Sequence, residues 1–220
     1  MLVQVPRVRR RADPTLNVSH LRIPPAFARQ RVGLFGGSFD PPHEGHLLVA
    51  ETALVRLGLD RLWWMVTPGN PLKDTSGLAP LPERIAACER LARHPDITVC
   101  APEARLRTRF TADTLRTLAE RRPGVRFVWI MGADNLASFH RWERWREIAR
   151  LVPIAVVDRP GATLSFTSAP AAQALARHRV DEGDARLLPF LPPPAWTFLH
   201  GPRSGQSSTA LRAGRKVECT

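Results

Sequence analysis

Cysteine is nearly missing from this chain. Cys88, Cys100 and Cys219 are odd in number and form no CxxC pair. That excludes a disulfide framework and a thiolate zinc cluster, and predicts reduced thiols in a cytoplasmic protein. Lysine is scarcer still, occurring only at Lys73 and Lys216, so arginine carries almost all the positive charge. Long apolar runs are also lacking. None approaches the ~18–20 residues of a membrane span. Residues 1–30 contain no apolar core of the kind a secretory signal needs. Two phosphate-loop patterns are missing as well. No GK[ST] follows a glycine-rich loop, which excludes a Walker A site, and the lack of GxGxxG disfavours a Rossmann dehydrogenase. Acidic residues are outnumbered, 20 against 32 basic, for a formal charge of +12. That balance favours an anionic partner such as a nucleotide, a nucleic acid or an acidic surface. The arginines are scattered among alanine, leucine and proline, which looks like compositional bias and not a binding stripe.

What is present suits one α/β domain: 220 residues, 44% of them apolar. Residues 1–30 are rich in arginine and proline with little periodicity, and read as a flexible basic extension; residues 31–220 read as a single domain. Within the latter, apolar runs of strand length alternate with helical patterns. Strands are expected at Leu62–Thr67, Ile97–Cys100, Val125–Met131 and Ile154–Val157. Helices are expected from about Pro82 to His94, from Thr111 to Arg121, and after Asp134 to about Arg150. An alanine-rich helix is expected within 162–184, and Leu187-Leu188 and Trp196–Leu199 are expected to pair as late strands. The alternation predicts a doubly wound, mostly parallel sheet with right-handed crossovers and helices on both faces. In such sheets ligands lie beyond the carboxyl ends of the strands. The segments 36–46, 67–73, 132–135, 158–161 and 204–212 should therefore face one crevice.

One stretch organises this pattern: Gly33-Leu34-Phe35-Gly36-Gly37-Ser38-Phe39-Asp40-Pro41-Pro42-His43-Glu44-Gly45-His46. Arg31-Val32 can begin a strand, and Leu47, Leu48, Ala50, Ala53, Leu54 and Leu57 recur at helical spacing, so it reads as strand, glycine-rich turn and helix. Two histidines three apart stand in the first turn, where backbone N–H groups and the helix dipole favour an anion. Zinc-protease helices need i, i+4 spacing, which this pair lacks. Metal ligation and a purely structural role as helix caps are the competing readings. The phosphate reading has two imidazoles donating hydrogen bonds to a phosphate under attack.

Gly36 to His46 resembles the GGxFDPxHxGH signature of the nucleotidylyltransferase superfamily, and Ser207-Ser208-Thr209-Ala210-Leu211-Arg212 resembles its second signature, SSTxxR. Further pieces resemble nicotinate-nucleotide adenylyltransferases. They are Pro68-Gly69-Asn70-Pro71-Leu72-Lys73, Glu83-Arg84, Phe110-Thr111-Ala112-Asp113-Thr114-Leu115, Ile130-Met131-Gly132-Ala133-Asp134-Asn135-Leu136, Trp142 with Trp145, and Val157-Asp158-Arg159-Pro160-Gly161. The resemblance spans residues 31–213. Ser38 stands where the family often has threonine, Pro42 where isoleucine is common, and Leu72 where proline-histidine often precedes the lysine.

The resemblance implies a Rossmann-like nucleotidylyltransferase fold. It also implies transfer of AMP from ATP to nicotinate mononucleotide, giving deamido-NAD and pyrophosphate by direct in-line attack. Catalytic roles fall to His43, His46 and Lys73, His46 being the better candidate at the α-phosphate. ATP would be held by Gly36, Ser38, Phe39, Gly132, Asp134, Ser207, Ser208 and Arg212. The mononucleotide would be held by Gly37, Ser38, Lys73, Thr111 and Trp142, with Thr111 on the nicotinate carboxylate and Trp142 stacked on the ring. Trp142 and Trp145 at i, i+3 are equally what a buried helix face looks like. Arg109 and Arg159 are further phosphate candidates. No protein metal site is expected; Mg2+ would be held mainly by ATP phosphates and water. The expected partners are ATP and the mononucleotide, with no membrane and no nucleic acid, and the oligomeric state is open. The alternatives are another phosphate acceptor (nicotinamide mononucleotide or phosphopantetheine) and a basic nucleic-acid-binding protein, which would bind in a salt-sensitive way.

Overall fold

The computed structural model describes residues 17–69, 77–159, 166–201 and 208. Among them six strands form one sheet: β1 (Arg31–Gly37), β2 (Arg61–Val66), β3 (Ile97–Cys100), β4 (Arg126–Gly132), β5 (Ile154–Val157) and β6 (Trp196–Leu199). Their order is β3-β2-β1-β4-β5-β6 and every pairing is parallel. The strands are buried because both faces are covered. Alternate residues of each strand enter different cores, as the twofold repeat of an extended chain requires. Val32, Leu34, Trp63, Met65, Phe127, Trp129 and Met131 join one core. It is closed by α4 (Thr111–Arg121), α5 (Ala133–Phe139), α6 (Trp145–Leu151) and α7 (Pro170–Ala174). Phe35, Leu62, Trp64, Val66, Val128 and Ile130 join the other, closed by α1 (Glu44–Leu57), α2 (Leu81–Leu91) and the 3-10 segment Glu182–Phe190. A short helix, α3 (Pro102–Leu106), follows β3. The chain winds one way from β1 to β3 and the other way from β4 to β6, so the switch point lies between β1 and β4.

The doubly wound sheet matches the sequence pattern, with three local corrections. Leu187-Leu188 is not a strand: it lies inside the 3-10 segment, where Leu188 is buried and Leu187 exposed, and β6 pairs with β5 instead. The Trp/Arg-rich helix is broken in two, because Arg144 takes the left-handed region at φ 53° and restarts the chain as α6. The alanine-rich helix expected within 162–184 is present as Pro170–Ala174, with residues 162–165 outside the described part. Residues 17–30, expected as flexible extension, pack against the domain. Gln30 accepts from the Arg126 N–H at 2.8 Å, Gly124 accepts from the Arg29 N–H at 2.7 Å, and His20 accepts from the Ala101 N–H at 2.7 Å. Arg122 Nη2 donates to the carbonyls of Ile23 and Pro24, each at 3.3 Å. These are backbone attachments, which an apolar periodicity does not reveal.

Candidate active site

The loop after β1 is shaped by close approach. A Cβ on Gly36 would stand 2.5 Å from the Trp129 ring of β4, so only a hydrogen fits there. Phe39 is buried at φ 48°, its ring edge-on to Phe35 at 5.3 Å. The chain then enters α1 with His43 in extended geometry before the first turn. His43 is 5% exposed and its Nδ1 has no hydrogen-bond partner among the described residues. Burial, with the Arg159 guanidinium beside it, pushes the imidazole down to about 4, while Asp134 pulls the other way. His43 is therefore neutral at pH 7 and carries one N–H.

His46 stacks over His43 with ring centroids 3.8 Å apart. Its Nδ1 accepts the His43 backbone N–H at 3.3 Å, which assigns the proton to Nε2 and makes that nitrogen a donor. Gly45 lets the pair sit this close, since a Cβ there would meet the His43 ring at 3.1 Å. Arg159 follows β5 and approaches from the β4 side, its Nε 3.7 Å from Asp134 Oδ1. Gly132 makes room for both, because a Cβ there would strike Asp134 at 2.4 Å and Arg159 at 2.7 Å. Asp134, at the start of α5, keeps a side chain 58% exposed.

The second signature meets the first in space. Ser208 Oγ donates to the Pro41 carbonyl at 2.9 Å across 167 residues of sequence. Loops after β1, β4 and β5, together with Ser208, thus converge at the switch point. Lys73, Ser207 and Arg212 lie outside the described residues. Gly36, Gly37, Ser38, Phe39, His43, His46, Gly132 and Asp134 come together as the topology predicts.

The other two positions stand on the opposite face of the sheet. Thr111 is the first residue of α4, and Trp142 lies in the turn between α5 and α6. Trp142 is half-buried, edge-on to Phe139 at 5.4 Å and Trp129 at 6.2 Å. Its ring therefore packs on the core, though from a turn and not from the helix face the i, i+3 spacing suggested, and keeps one part uncovered. The two turns are tied together by ion pairs. Arg144 Nη2 donates to Asp113 Oδ2 at 2.6 Å, and Arg116 bridges Asp113 and Glu147. The Arg144 hydrogen bond is the main reason the Asp113 carboxyl is held below its usual range. Beneath α4, the buried Glu103 accepts from Thr114 Oγ1 at 3.2 Å, and burial pushes its carboxyl up to about 7.

Sequence reasoning ranked Arg159 only as a further phosphate candidate beside Arg109, and it noted Arg84 in the Glu83-Arg84 pair without giving it a role. Arg84, in the first turns of α2, is buried and donates four hydrogen bonds to backbone carbonyls, including those of Ser38 and Thr67. Its signal in sequence was slight, since one arginine among many carries no mark of burial. Cys88 and Cys100 are free and buried, and burial raises both thiols, Cys88 to about 12. Cys219 lies outside the described residues. Among the described residues no helix is long and apolar enough to cross a membrane.

Comparison with known proteins agrees with this architecture. The cytidylyltransferase-like family model matches residues 34–214. A protein of Rhizobium meliloti named "Probable nicotinate-nucleotide adenylyltransferase" is 64% identical over 184 residues, covering 84% of this chain and 98% of its own. One of the same name from Agrobacterium fabrum is 63% identical over 185 residues, covering 84% and 99%. In fold, the chain is similar to the Plasmodium falciparum nicotinic acid mononucleotide adenylyltransferase, solved with APC. The TM-score is 0.61 and the identity 16%, covering 84% of this chain and 83% of that one. The same protein solved with NaAD gives a TM-score of 0.60 at 17% identity. On the strength of the family model and of the relatives matched over nearly their whole length, the chain belongs to the nicotinate-nucleotide adenylyltransferases, within the cytidylyltransferase-like family.

Proposed function

We propose that this chain transfers the adenylyl group of ATP to nicotinate mononucleotide, giving deamido-NAD and pyrophosphate. The observation that carries the reading is the Ser208–Pro41 hydrogen bond, which joins the two signature segments at the switch point beside His43, His46 and Arg159. A 5′-phosphate oxygen of the mononucleotide forms a bond to the α-phosphorus of ATP as the bond to the bridging α,β oxygen breaks. Pyrophosphate leaves with that electron pair. The nucleophile is already an anion, so no base is needed and the protein supplies alignment and charge stabilisation.

His46 Nε2–H is the donor assigned to the α-phosphate, and neutral His43 offers a second N–H from the same stack. Gly36, Gly37, Ser38 and Phe39 bring backbone groups against both substrates. Gly132 lets the chain pass close to the adenosine, and Asp134, exposed at the end of β4, accepts from ribose hydroxyls. Arg159 adds positive charge beside the histidines. Thr111 and Trp142 hold the nicotinate carboxylate and ring from the opposite face. Lys73, Ser207 and Arg212, assigned by resemblance to phosphate contacts, complete the set with Ser208. We assign Mg2+ to the ATP phosphates and water; when bound there it would neutralise charge on the triphosphate and the leaving pyrophosphate.

The test is pyrophosphate release from the purified chain with ATP, Mg2+ and each acceptor in turn. Turnover should be fastest with nicotinate mononucleotide. Equal or faster turnover with nicotinamide mononucleotide or phosphopantetheine would overturn the substrate assignment.

A further inference from the structure

Arg84 is 3% exposed, yet it donates no hydrogen bond to a carboxylate of any described residue. Its Nε donates to the Ala79 carbonyl at 2.8 Å and Nη1 to the carbonyls of Ser38 and Thr67, each at 2.7 Å. Nη2 donates to the Pro68 carbonyl at 3.1 Å. The buried carboxylate of Asp40 acts on the guanidinium by its charge and accepts the Ala79 N–H at 3.3 Å. A buried guanidinium usually finds a bidentate carboxylate, which offsets the cost of desolvating it. Here the planar fork is divided among the loop after β1, the loop after β2 and the approach to α2.

Peptide planarity gives this clamp a direction. In a trans peptide the carbonyl and the following N–H point to opposite sides. Ser38–Phe39 and Pro68–Gly69 are trans. With the Ser38 and Pro68 carbonyls drawn to Arg84, the N–H groups of Phe39 and Gly69 point away from it. Neither donates a hydrogen bond to any described residue.

We propose that Arg84 is a positioning residue for adenylyl transfer. By holding the Ser38 and Pro68 carbonyls on the buried side of two loops, it presents the Phe39 and Gly69 N–H groups to substrate phosphate oxygens. The inference rests on the adenylyltransferase reading and adds a backbone anion site built from inside the fold. Lysine could keep the charge but not the fork, since it is a point donor on a flexible stem.

Two measurements test this. The first follows the Phe39 and Gly69 amide resonances of the full chain by NMR, titrating inorganic triphosphate and nicotinate mononucleotide separately. Both amides should shift downfield and exchange more slowly with one of the two ligands, and that ligand identifies which phosphate they hold. No response of either amide to either ligand overturns the proposal. The second is Arg84→Lys. Its kcat should fall on the order of a hundredfold, KM for both substrates should move far less, and the amide response should be lost. If Arg84→Lys keeps kcat within about threefold of wild type, the proposal is wrong. If that variant does not fold, the wild-type titration decides. If the wild-type chain releases no pyrophosphate from ATP and the mononucleotide, the functional reading fails, while the response of the amides to triphosphate still decides the role of Arg84.

Discussion

The two sides of the crevice are held by opposite means. On the α1/α2 side the described parts of the loops are held from within. A buried arginine grips four carbonyls, His43 is desolvated, and Gly36 and Gly45 allow contacts that no side chain would permit. On the α4/α6 side the turns bearing Thr111 and Trp142 are held by ion pairs whose side chains stay about a third exposed. Exposed pairs contribute little and are screened by salt, whereas buried donors left without partners are costly. The side assigned to phosphate chemistry is therefore the rigid one, and the side assigned to the nicotinate ring has room to adjust.

The sharpest way to break this comparison is His46→Ala. On the rigid side it should lower kcat roughly a hundredfold or more, equivalent to about 2.7–4 kcal/mol of lost stabilisation. Circular dichroism and the melting temperature should stay near wild type; activity within a few-fold of wild type would remove His46 from the chemistry.

The next test asks whether the adjustable side hides one rigid element beneath it. Glu103 has its carboxyl raised from 4.5 to about 7, so the folded chain keeps a proton that the unfolded chain has released. Its contribution is complete below pH 4.5 and is lost as pH rises through about 7. Glu103→Gln, which removes the titration, should exceed wild type in stability at pH 8 by up to roughly 3 kcal/mol and by much less at pH 5. Urea melts at the two pH values measure it, and equal gaps at both would show that Glu103 is not a buried acid.

Gly36→Ala puts a methyl into the Trp129 ring. It should cost about 1–3 kcal/mol in urea unfolding and lower kcat along with it. A neutral result would mean the loop is less constrained than the packing indicates. The smallest effect is expected at Asp113→Asn. KM for the mononucleotide should rise only about threefold at low salt, a difference that 0.5 M NaCl should largely erase, with kcat unchanged. A large loss of kcat would place this turn among the rigid parts.

Much of this arrangement was legible in the sequence because strand burial and the glycine-rich turn are local. Ile154–Val157 and Thr111–Arg121 follow directly from apolar runs and helical spacing. The convergence of 36–46, 132–135 and 158–159 followed from topology alone. What was not legible depends on contacts that leave no periodicity. Residues 17–30 attach through backbone carbonyls, and Arg84 is indistinguishable by type from the exposed arginines around it. Leu187-Leu188 is an apolar pair too short to separate a strand from a 3-10 turn.

Trp129 lies under Gly36 with its ring edge-on to Trp142 at 6.2 Å, so two indoles join the two sides of the crevice. Indoles this close would couple through their strong far-ultraviolet transitions, which would give the site a dichroic signature of its own. A ring stacking on Trp142 would change that signal and quench its emission. Occupancy of the pocket could then be read from unlabelled protein, and Trp142→Phe would silence the response.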